Sequence, residues 1–275
     1  MNQNGHKLVV VDVDGTLLNT RGMVDARTRE AVQAARAEGV GVVVATGRTF
    51  GSIRGLLQEL SLTLPAICCS GAMVRDARTA MILYHRTLSR AQATVALNGA
   101  ARIGVEAALF CQERVLFEPS ARRIRAFFER DGADWEQIAD LRAFPDGEPT
   151  KVLLTGEERP LESFIREIGP GIEGGRVVWG YDRVLEVIAD GVSKGEALER
   201  LALWLGIERQ AIIAVGDSYN DLEMIEFAGL GVAMANAAEP LKAAADYVTS
   251  SNDEGGVAEV IERFILGQDG HLSRP

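Results

Sequence analysis

Two carboxylates stand one residue apart at the end of an apolar segment near the N-terminus. The segment KLVVVDVDGTLL covers residues 7–18, and its acids are Asp12 and Asp14. A buried carboxylate is costly unless hydrogen bonds or an opposite charge compensate it. The pair therefore indicates either a site in which a partner offsets the charge, or a strand that simply ends in an Asp-Gly turn.

Three further groups of polar residues follow along the chain. Each lies where an apolar segment ends or where a helix begins. They are Thr46, Gly47 and Arg48 in ATGRT; Lys194 in GVSKGEAL; and Gly216, Asp217, Ser218, Asn220 and Asp221 in GDSYND. In a doubly wound sheet, ligands bind beyond the carboxyl ends of the strands, so we expect the four groups to converge. Taken singly, each has a structural alternative: a turn, a solvated lysine, or a cluster that caps a helix N-terminus.

Convergence of these groups would place four carboxylates together, which cannot all stay ionised without a cation. An oxygen-rich set without Cys or His suits Mg²⁺, a hard ion that often shares its site with a phosphate. Lys194, the Thr46 hydroxyl, the Gly47 amide and the amides after Asp12 could offset the remaining charge of a phosphate dianion. The pattern therefore predicts a site for Mg²⁺ and phosphate.

The elements that must position these residues alternate between strand and helix. Apolar, β-branched runs predict strands at 9–13, 40–45, 65–69, 211–215 and 230–233, and amphipathic runs predict helices at 25–38, 49–60, 193–205, 220–228 and 257–266. This alternation favours an α/β fold with a parallel sheet covered by helices.

The middle of the chain mixes helix-like and strand-like segments, with Gly and Pro clustered at 145–149 and 169–175. We interpret it as a separate α+β insert. The predicted division is therefore a core formed by 1–83 and 187–275, with an inserted domain at 84–186.

The composition disfavours some partners. The 275 residues carry a net charge of −10, which argues against nucleic acid or an anionic membrane as the main partner. The three cysteines show no metal-like spacing, and the N-terminus has no apolar signal segment, so we expect a reducing cytoplasm. The oligomeric state is expected to be monomer or homodimer.

The motifs DVDGT, ATGR, the lysine of GVSKGEAL and GDSYND resemble the four signature motifs of the haloacid dehalogenase-like (HAD) phosphatases. The later stretch GVAMANAAEPLKAAADYVTSSNDEGGVAEVI is similar to the end of the Cof-type (type IIB) subfamily. The insert lies between the second and third motifs, where that subfamily carries its α+β cap. The resemblance implies a Rossmann-like, doubly wound parallel sheet with an inserted cap domain.

The resemblance also implies catalytic roles. Asp12 would be the nucleophile that forms an aspartyl-phosphate, and Asp14 would be the general acid and then the general base. Thr46 and Lys194 would bind the phosphoryl oxygens.

A metal site is implied as well. Asp217, Asp12 and the Asp14 carbonyl would hold Mg²⁺, and Asn220 and Asp221 would support the metal and the lysine, with Asn220 close to the phosphate.

Residues near the second motif are candidates for substrate contact. Gly47 would contribute its amide. Arg48 is a better candidate than the residues of the insert for a contact with the substrate beyond the phosphate. One departure is visible: the subfamily often has Asn-Gly-Ala after the third strand, whereas this chain has Ser70 followed by Gly71 and Ala72. Serine is shorter and lacks the amide, so this position is expected to act differently here.

The leading hypothesis is a Mg²⁺-dependent phosphatase of small phosphomonoesters, such as sugar phosphates or phosphorylated cofactors. A phosphoryl transferase or phosphomutase on the same scaffold is the first alternative. A non-catalytic protein that binds phosphorylated metabolites is the second, although a binding protein has no need of a nucleophile with an acid/base partner. A dehalogenase is disfavoured, because it has no use for a Mg²⁺ cluster.

Overall fold

The computed structural model describes residues 5–144, 147–181 and 183–268. In chain order the strands are β1 (Leu8–Val11), β2 (Gly41–Val44), β3 (Ala66–Cys68), β4 (Met73–Arg75), β5 (Ile82–His85), β6 (Glu106–Cys111), β7 (Arg114–Phe117), β8 (Trp135–Gln137), β9 (Lys151–Thr155), β10 (Gly175–Tyr181), β11 (Val184–Ala189), β12 (Ile212–Gly216), β13 (Leu230–Ala233) and β14 (Tyr247–Val248). The helices are α1 (Ala26–Ala37), α2 (Phe50–Glu59), α3 (Arg90–Ile103), α4 (Arg122–Asp131), α5 (Glu158–Glu167), α6 (Lys194–Leu205), α7 (Leu222–Phe227), α8 (Glu239–Ala244) and α9 (Gly256–Phe264).

A parallel sheet with the strand order β14-β13-β12-β1-β2 forms the centre of the core. The four residues of β1 are all buried, as expected for a continuous run of Leu and Val that is covered on both faces. Helices α1 and α9 contact each other, and so do α6 and α7. The predicted α/β core with a parallel sheet is confirmed.

The register of the central strands brings their carboxyl ends to one level. Val11 at the end of β1 pairs with Val44 of β2 on one side and with Val215 of β12 on the other. The chain order reverses at β1, which creates a crevice at that edge of the sheet. Residues that follow these three strands must therefore meet.

A small antiparallel sheet, β3-β4-β5, continues from the core through a parallel bridge between Ala45 and Ile67. The sequence pattern did not predict β4 or β5, because strands of three or four residues carry little periodicity. The predicted division between residues 83 and 84 falls inside β5, and that between 186 and 187 falls inside β11. Residues 1–4 and 269–275 of the predicted core lie outside the described residues.

The insert folds around a second sheet with the order β10-β11-β9-β6-β7-β8, in which only the β7–β8 pair is parallel. Helices α3, α4 and α5 belong to the same part of the chain. The predicted α+β insert is confirmed, and we call it the cap. In the part of the chain that the structure describes, none of the helices combines the length and the apolar character that crossing a membrane requires.

Candidate active site

The loop that follows β1 carries the first two predicted residues. The Asp12 amide donates to the Val215 carbonyl at 3.0 Å, so Asp12 is held in line with the sheet, and its side chain is buried. Gly15 has φ +78°, and a Cβ there would lie 2.4 Å from Asp217 Oδ2. Only glycine allows this loop to approach the loop after β12 so closely.

Three carboxylates cluster at this edge of the sheet. Ligand oxygens of Asp12, Asp217 and Asp221 all lie within 4.8 Å of one another. The Lys194 ammonium donates to Asp12 Oδ1 and to Asp221 Oδ1, at 2.6 Å each. Lys194 is 1% exposed, so the alternative of a solvated helix residue is wrong. Ser193 caps the N-terminus of α6 and thereby fixes where the lysine begins its helix.

Charge in this cluster is unbalanced. Burial raises the pKa of Asp12 well above its ordinary range, and Asp221 adds to the effect, while Lys194 opposes it. Burial, and after it the charge of Asp221, raises the pKa of Asp217 to about 7. Burial by itself would lower the pKa of Lys194, but Asp12 and Asp221 outweigh it and raise that pKa. One ammonium facing three carboxylates leaves an excess of negative charge that a cation can offset.

The loop after β12 is organised by Asp221, which uses its two oxygens differently. Oδ1 accepts from the lysine, whereas Oδ2 accepts from the amides of Asp217 at 3.1 Å and Ser218 at 2.9 Å. The capping alternative and the charged-cluster prediction therefore both apply to this residue. Asn220 Oδ1 is buried and has no hydrogen-bond partner among the described residues. The candidate ligand atoms of Asp12, Asp217 and Asp221 are all carboxylate oxygens, which fits a hard cation such as Mg²⁺.

Thr46 lies in the loop after β2, and both of its backbone polar groups are hydrogen-bonded to other residues. Its amide donates to the Ile67 carbonyl at 2.9 Å, and its carbonyl accepts from the Ser70 amide at 2.9 Å. The Thr46 hydroxyl oxygen accepts from the Arg48 amide at 3.2 Å. The hydroxyl proton is therefore left to donate to a ligand. The carbonyl of the next residue, Gly47, accepts from the cap residue Lys151 at 2.9 Å.

Asp14 lies beside the cluster rather than in it. Its side chain is 59% exposed, and its two oxygens accept from Arg48 Nε at 2.7 Å and Nη2 at 2.5 Å. Arg48 also donates to the carbonyl of Asp131 at 3.0 Å and lies 3.1 Å from its carboxylate. Asp131 ends α4 in the cap, so Arg48 connects Asp14 to the cap.

The sequence assigned no role to several residues at the site. Thr16 donates its hydroxyl to Asp217 at 2.8 Å, and Asn236 donates its amide to the Gly15 carbonyl at 2.8 Å. The Asn236 side-chain oxygen accepts from the Asn252 amide at 3.0 Å. Asn236 follows β13, so the rule on carboxyl ends of strands could have found it. Asp131 and Lys151 lie in the cap and carry no local signal.

Taken together, a capped α/β fold and a buried lysine–carboxylate cluster at the carboxyl edge of its parallel strands define a class of hydrolases. The chain belongs to the haloacid dehalogenase-like hydrolases, whose family pattern matches residues 9–261.

Individual relatives agree with this assignment. A phosphatase of Bacillus subtilis (strain 168) is 31% identical over 94% of this chain and 100% of its own length. A 5-amino-6-(5-phospho-D-ribitylamino)uracil phosphatase of the same organism is 30% identical over 95% of this chain and 99% of its own. The solved structure of a HAD subclass IIB sugar phosphatase has a TM-score of 0.84 at 25% identity, over 94% of this chain and 98% of that one. The predicted family and the predicted enzyme class, a HAD phosphatase, are confirmed.

Proposed function

We propose that the protein is a Mg²⁺-dependent phosphatase of small phosphomonoesters that acts through an aspartyl-phosphate on Asp12. The observation that carries this proposal is the buried ammonium of Lys194 between two carboxylates, with a third within 4.8 Å. Such a cluster holds a nucleophilic oxygen, a positive group for a phosphoryl oxygen and a ligand set for a hard cation in one crevice.

Each catalytic residue has a role in a two-step displacement. An Asp12 oxygen attacks phosphorus, the bond from phosphorus to the ester oxygen breaks, and Asp14 gives its proton to the departing alcohol. Asp14 then takes a proton from water, which attacks phosphorus and releases inorganic phosphate with Asp12 restored. Thr46 and Lys194 hold the phosphoryl oxygens throughout, the former through the hydroxyl proton that its contact with Arg48 leaves available.

The oxygen-only donor set supports a Mg²⁺ site. Asp12, Asp217 and the Asp14 carbonyl would hold the ion, and Asp221 would orient the loop around it. Bound Mg²⁺ would supply positive charge close to the phosphoryl oxygens. Asn220, whose buried side-chain oxygen lacks a partner among the described residues, supports the ion or the phosphate in this arrangement.

The substrate is a small phosphorylated metabolite in this proposal. Two of the three relatives above are named a 5-amino-6-(5-phospho-D-ribitylamino)uracil phosphatase and a sugar phosphatase. These names support phosphorylated sugars and ribityl phosphates as the first compounds to assay. Gly47 and Arg48 would contact the substrate beside the phosphate. The cytoplasmic location and the monomeric or homodimeric state remain predictions.

The test is phosphate release from a panel of small phosphomonoesters, measured with Mg²⁺ and with EDTA. We expect release that requires Mg²⁺ and that Asp12→Asn abolishes. Asp134→Asn, an equivalent change in the cap away from the cluster, should leave release unchanged. Undiminished release by Asp12→Asn would exclude Asp12 as the nucleophile. Binding of the esters without release would favour the binding-protein alternative, and transfer of the phosphoryl group to an added alcohol would favour the transferase.

A further inference from the structure

A buried ion pair lies where the cap meets the core. Lys151 begins β9 and Glu186 lies in β11, the neighbouring strand of the cap sheet. The side chains are 1% and 4% exposed, and the ammonium of Lys151 donates to the carboxylate of Glu186. Neither residue belongs to the motifs of the catalytic cluster.

Most of the acceptors around Lys151 belong to the core rather than to the cap. Besides Glu186, its ammonium donates to the Gly47 carbonyl at 2.9 Å and to the Ser70 hydroxyl at 3.4 Å. A lysine ammonium has three donor hydrogens, so these three acceptors use all of them. The ring of Phe110, with its centroid 4.6 Å from the ammonium, adds a cation–π contact from within the cap.

The contact with Gly47 is coupled through one peptide unit to Thr46. The Gly47 carbonyl and the Arg48 amide belong to the same planar peptide, so orienting one end orients the other. At that other end the Arg48 amide donates to the Thr46 hydroxyl oxygen at 3.2 Å. Lys151, which belongs to the cap, therefore influences the orientation of the Thr46 hydroxyl, which belongs to the core.

Other cap residues contact the same segment of the core. Asp131 pairs with Arg48, and the Glu113 carboxylate accepts from the Gly51 amide at 2.7 Å in the first turn of α2. Ser70 has φ +59°, and its amide holds the Thr46 carbonyl while its hydroxyl accepts from Lys151. Residues 46–51 are thus held at several points by side chains of the cap.

We propose that Lys151, supported by Glu186, is a positioning residue: in the closed arrangement of cap and core it orients the Gly47–Arg48 peptide and, through it, the phosphate-binding hydroxyl of Thr46. This role rests on the proposed phosphatase function. The same proposal assigns a role to Ser70, because the hydroxyl of this short side chain lies 3.4 Å from the Lys151 ammonium and accepts from it.

A stabilising role alone would not explain the geometry. Buried ion pairs are weak evidence for stability, since apolar residues of similar volume often replace them without loss. A pair that served only the cap would have its acceptors within the cap, whereas two of the three acceptors of Lys151 are core atoms beside Thr46.

The test compares a Lys151→Met/Glu186→Gln double variant, which leaves no buried charge unpaired, with Val152→Ala. Val152 is fully buried on the same strand, but as the next residue it faces the other side of the sheet. Two measurements distinguish the variants: hydrogen exchange of the amides at 46–51, and the affinity for inorganic phosphate in Mg²⁺ by calorimetry. Steady-state kcat and KM follow on the best ester.

In the double variant we expect exchange at 46–51 to become about tenfold faster or more, and phosphate affinity and kcat to fall by about 10- to 100-fold, as for loss of a charged hydrogen bond. Val152→Ala should lower the melting temperature without these changes. Glu186→Gln alone, which keeps an acceptor beside the ammonium, should retain most of the wild-type values.

Equal exchange and equal phosphate affinity in the double variant and in Val152→Ala would overturn the proposal. If the double variant does not fold, a Lys151→Gln/Glu186→Gln double variant, which also leaves no buried charge unpaired, replaces it in both measurements. Failure of the wild-type protein to hydrolyse any ester would refute the proposed function instead, and the exchange comparison would still decide whether Lys151 positions the segment.

Discussion

Replacing Asp217 by asparagine tests whether the carboxylate cluster repels itself when no cation is bound. Asparagine keeps the size of the side chain and an oxygen that can accept from Thr16. Burial, followed by the charge of Asp221, raises the pKa of Asp217 from 3.8 to about 7. The folded protein therefore binds this proton more tightly than the unfolded chain does. The associated stability is fully present below the unfolded pKa and is lost as the pH rises through the folded pKa.

The size of the effect follows from the shift in pKa. A shift from 3.8 to about 7 corresponds to roughly 4 kcal/mol of stability, most of which is lost between about pH 4 and pH 7. Asp217 is only partly buried, so screening by water makes this an upper limit. Asparagine cannot ionise, and the variant escapes this loss. Relative to wild type, its free energy of unfolding should therefore rise by up to about 2–3 kcal/mol over that pH interval.

The assay is urea unfolding, followed by circular dichroism in EDTA, across the same pH range. Added Mg²⁺ should then stabilise the wild-type protein more than Asp217→Asn, because the variant has lost a ligand. Asp134→Asn serves as the control and should show no pH-dependent difference from wild type. A difference between Asp217→Asn and wild type that does not change with pH would refute the electrostatic reasoning.

Three further predictions concern the same crevice. Lys194→Met leaves two buried carboxylates unpaired and should cost about 3–5 kcal/mol in urea unfolding and abolish turnover; a smaller cost would contradict the buried pairing. Gly15→Ala would place a Cβ 2.4 Å from Asp217 Oδ2, at a residue with φ +78°, and the Asp217 carboxylate would have to move. Calorimetry should therefore show weaker Mg²⁺ binding, and unchanged binding would argue against Asp217 as a ligand. Asp14→Asn should slow alkyl phosphate hydrolysis by about 10²- to 10⁴-fold, and p-nitrophenyl phosphate less, since that leaving group needs no proton; equal losses would argue against a general acid.

The sequence predicted most of the core strands and the polar residues that follow them. Short β-branched runs such as LVVV and GVVV are typical of buried strands in a covered sheet, and parallel strands bring their carboxyl ends to one edge. Asp12, Thr46 and Asp217 each follow such a strand, so their convergence was predictable without knowledge of any distance. Lys194 was predictable for a related reason, because a serine cap marks the start of its helix.

The hydrogen-bond partners of the individual side chains could not be predicted in this way. The sequence did not indicate that Asp14 would pair with Arg48 outside the carboxylate cluster, nor that Asp221 would use one oxygen for the lysine and the other for backbone amides. These choices depend on side-chain directions, which the packing of neighbouring loops decides rather than local periodicity.

The sequence by itself thus determined which residues meet at the candidate active site, because hydrophobic period and order along the chain are enough to place residues at the ends of parallel strands. Only the tertiary structure decided what the cap contributes. Lys151 lies 104 residues from the carbonyl that it holds, and Asp131 lies 83 residues from Arg48. The physical reason is that contacts between two separately folded sheets depend on how those sheets dock, and no spacing within either segment encodes that.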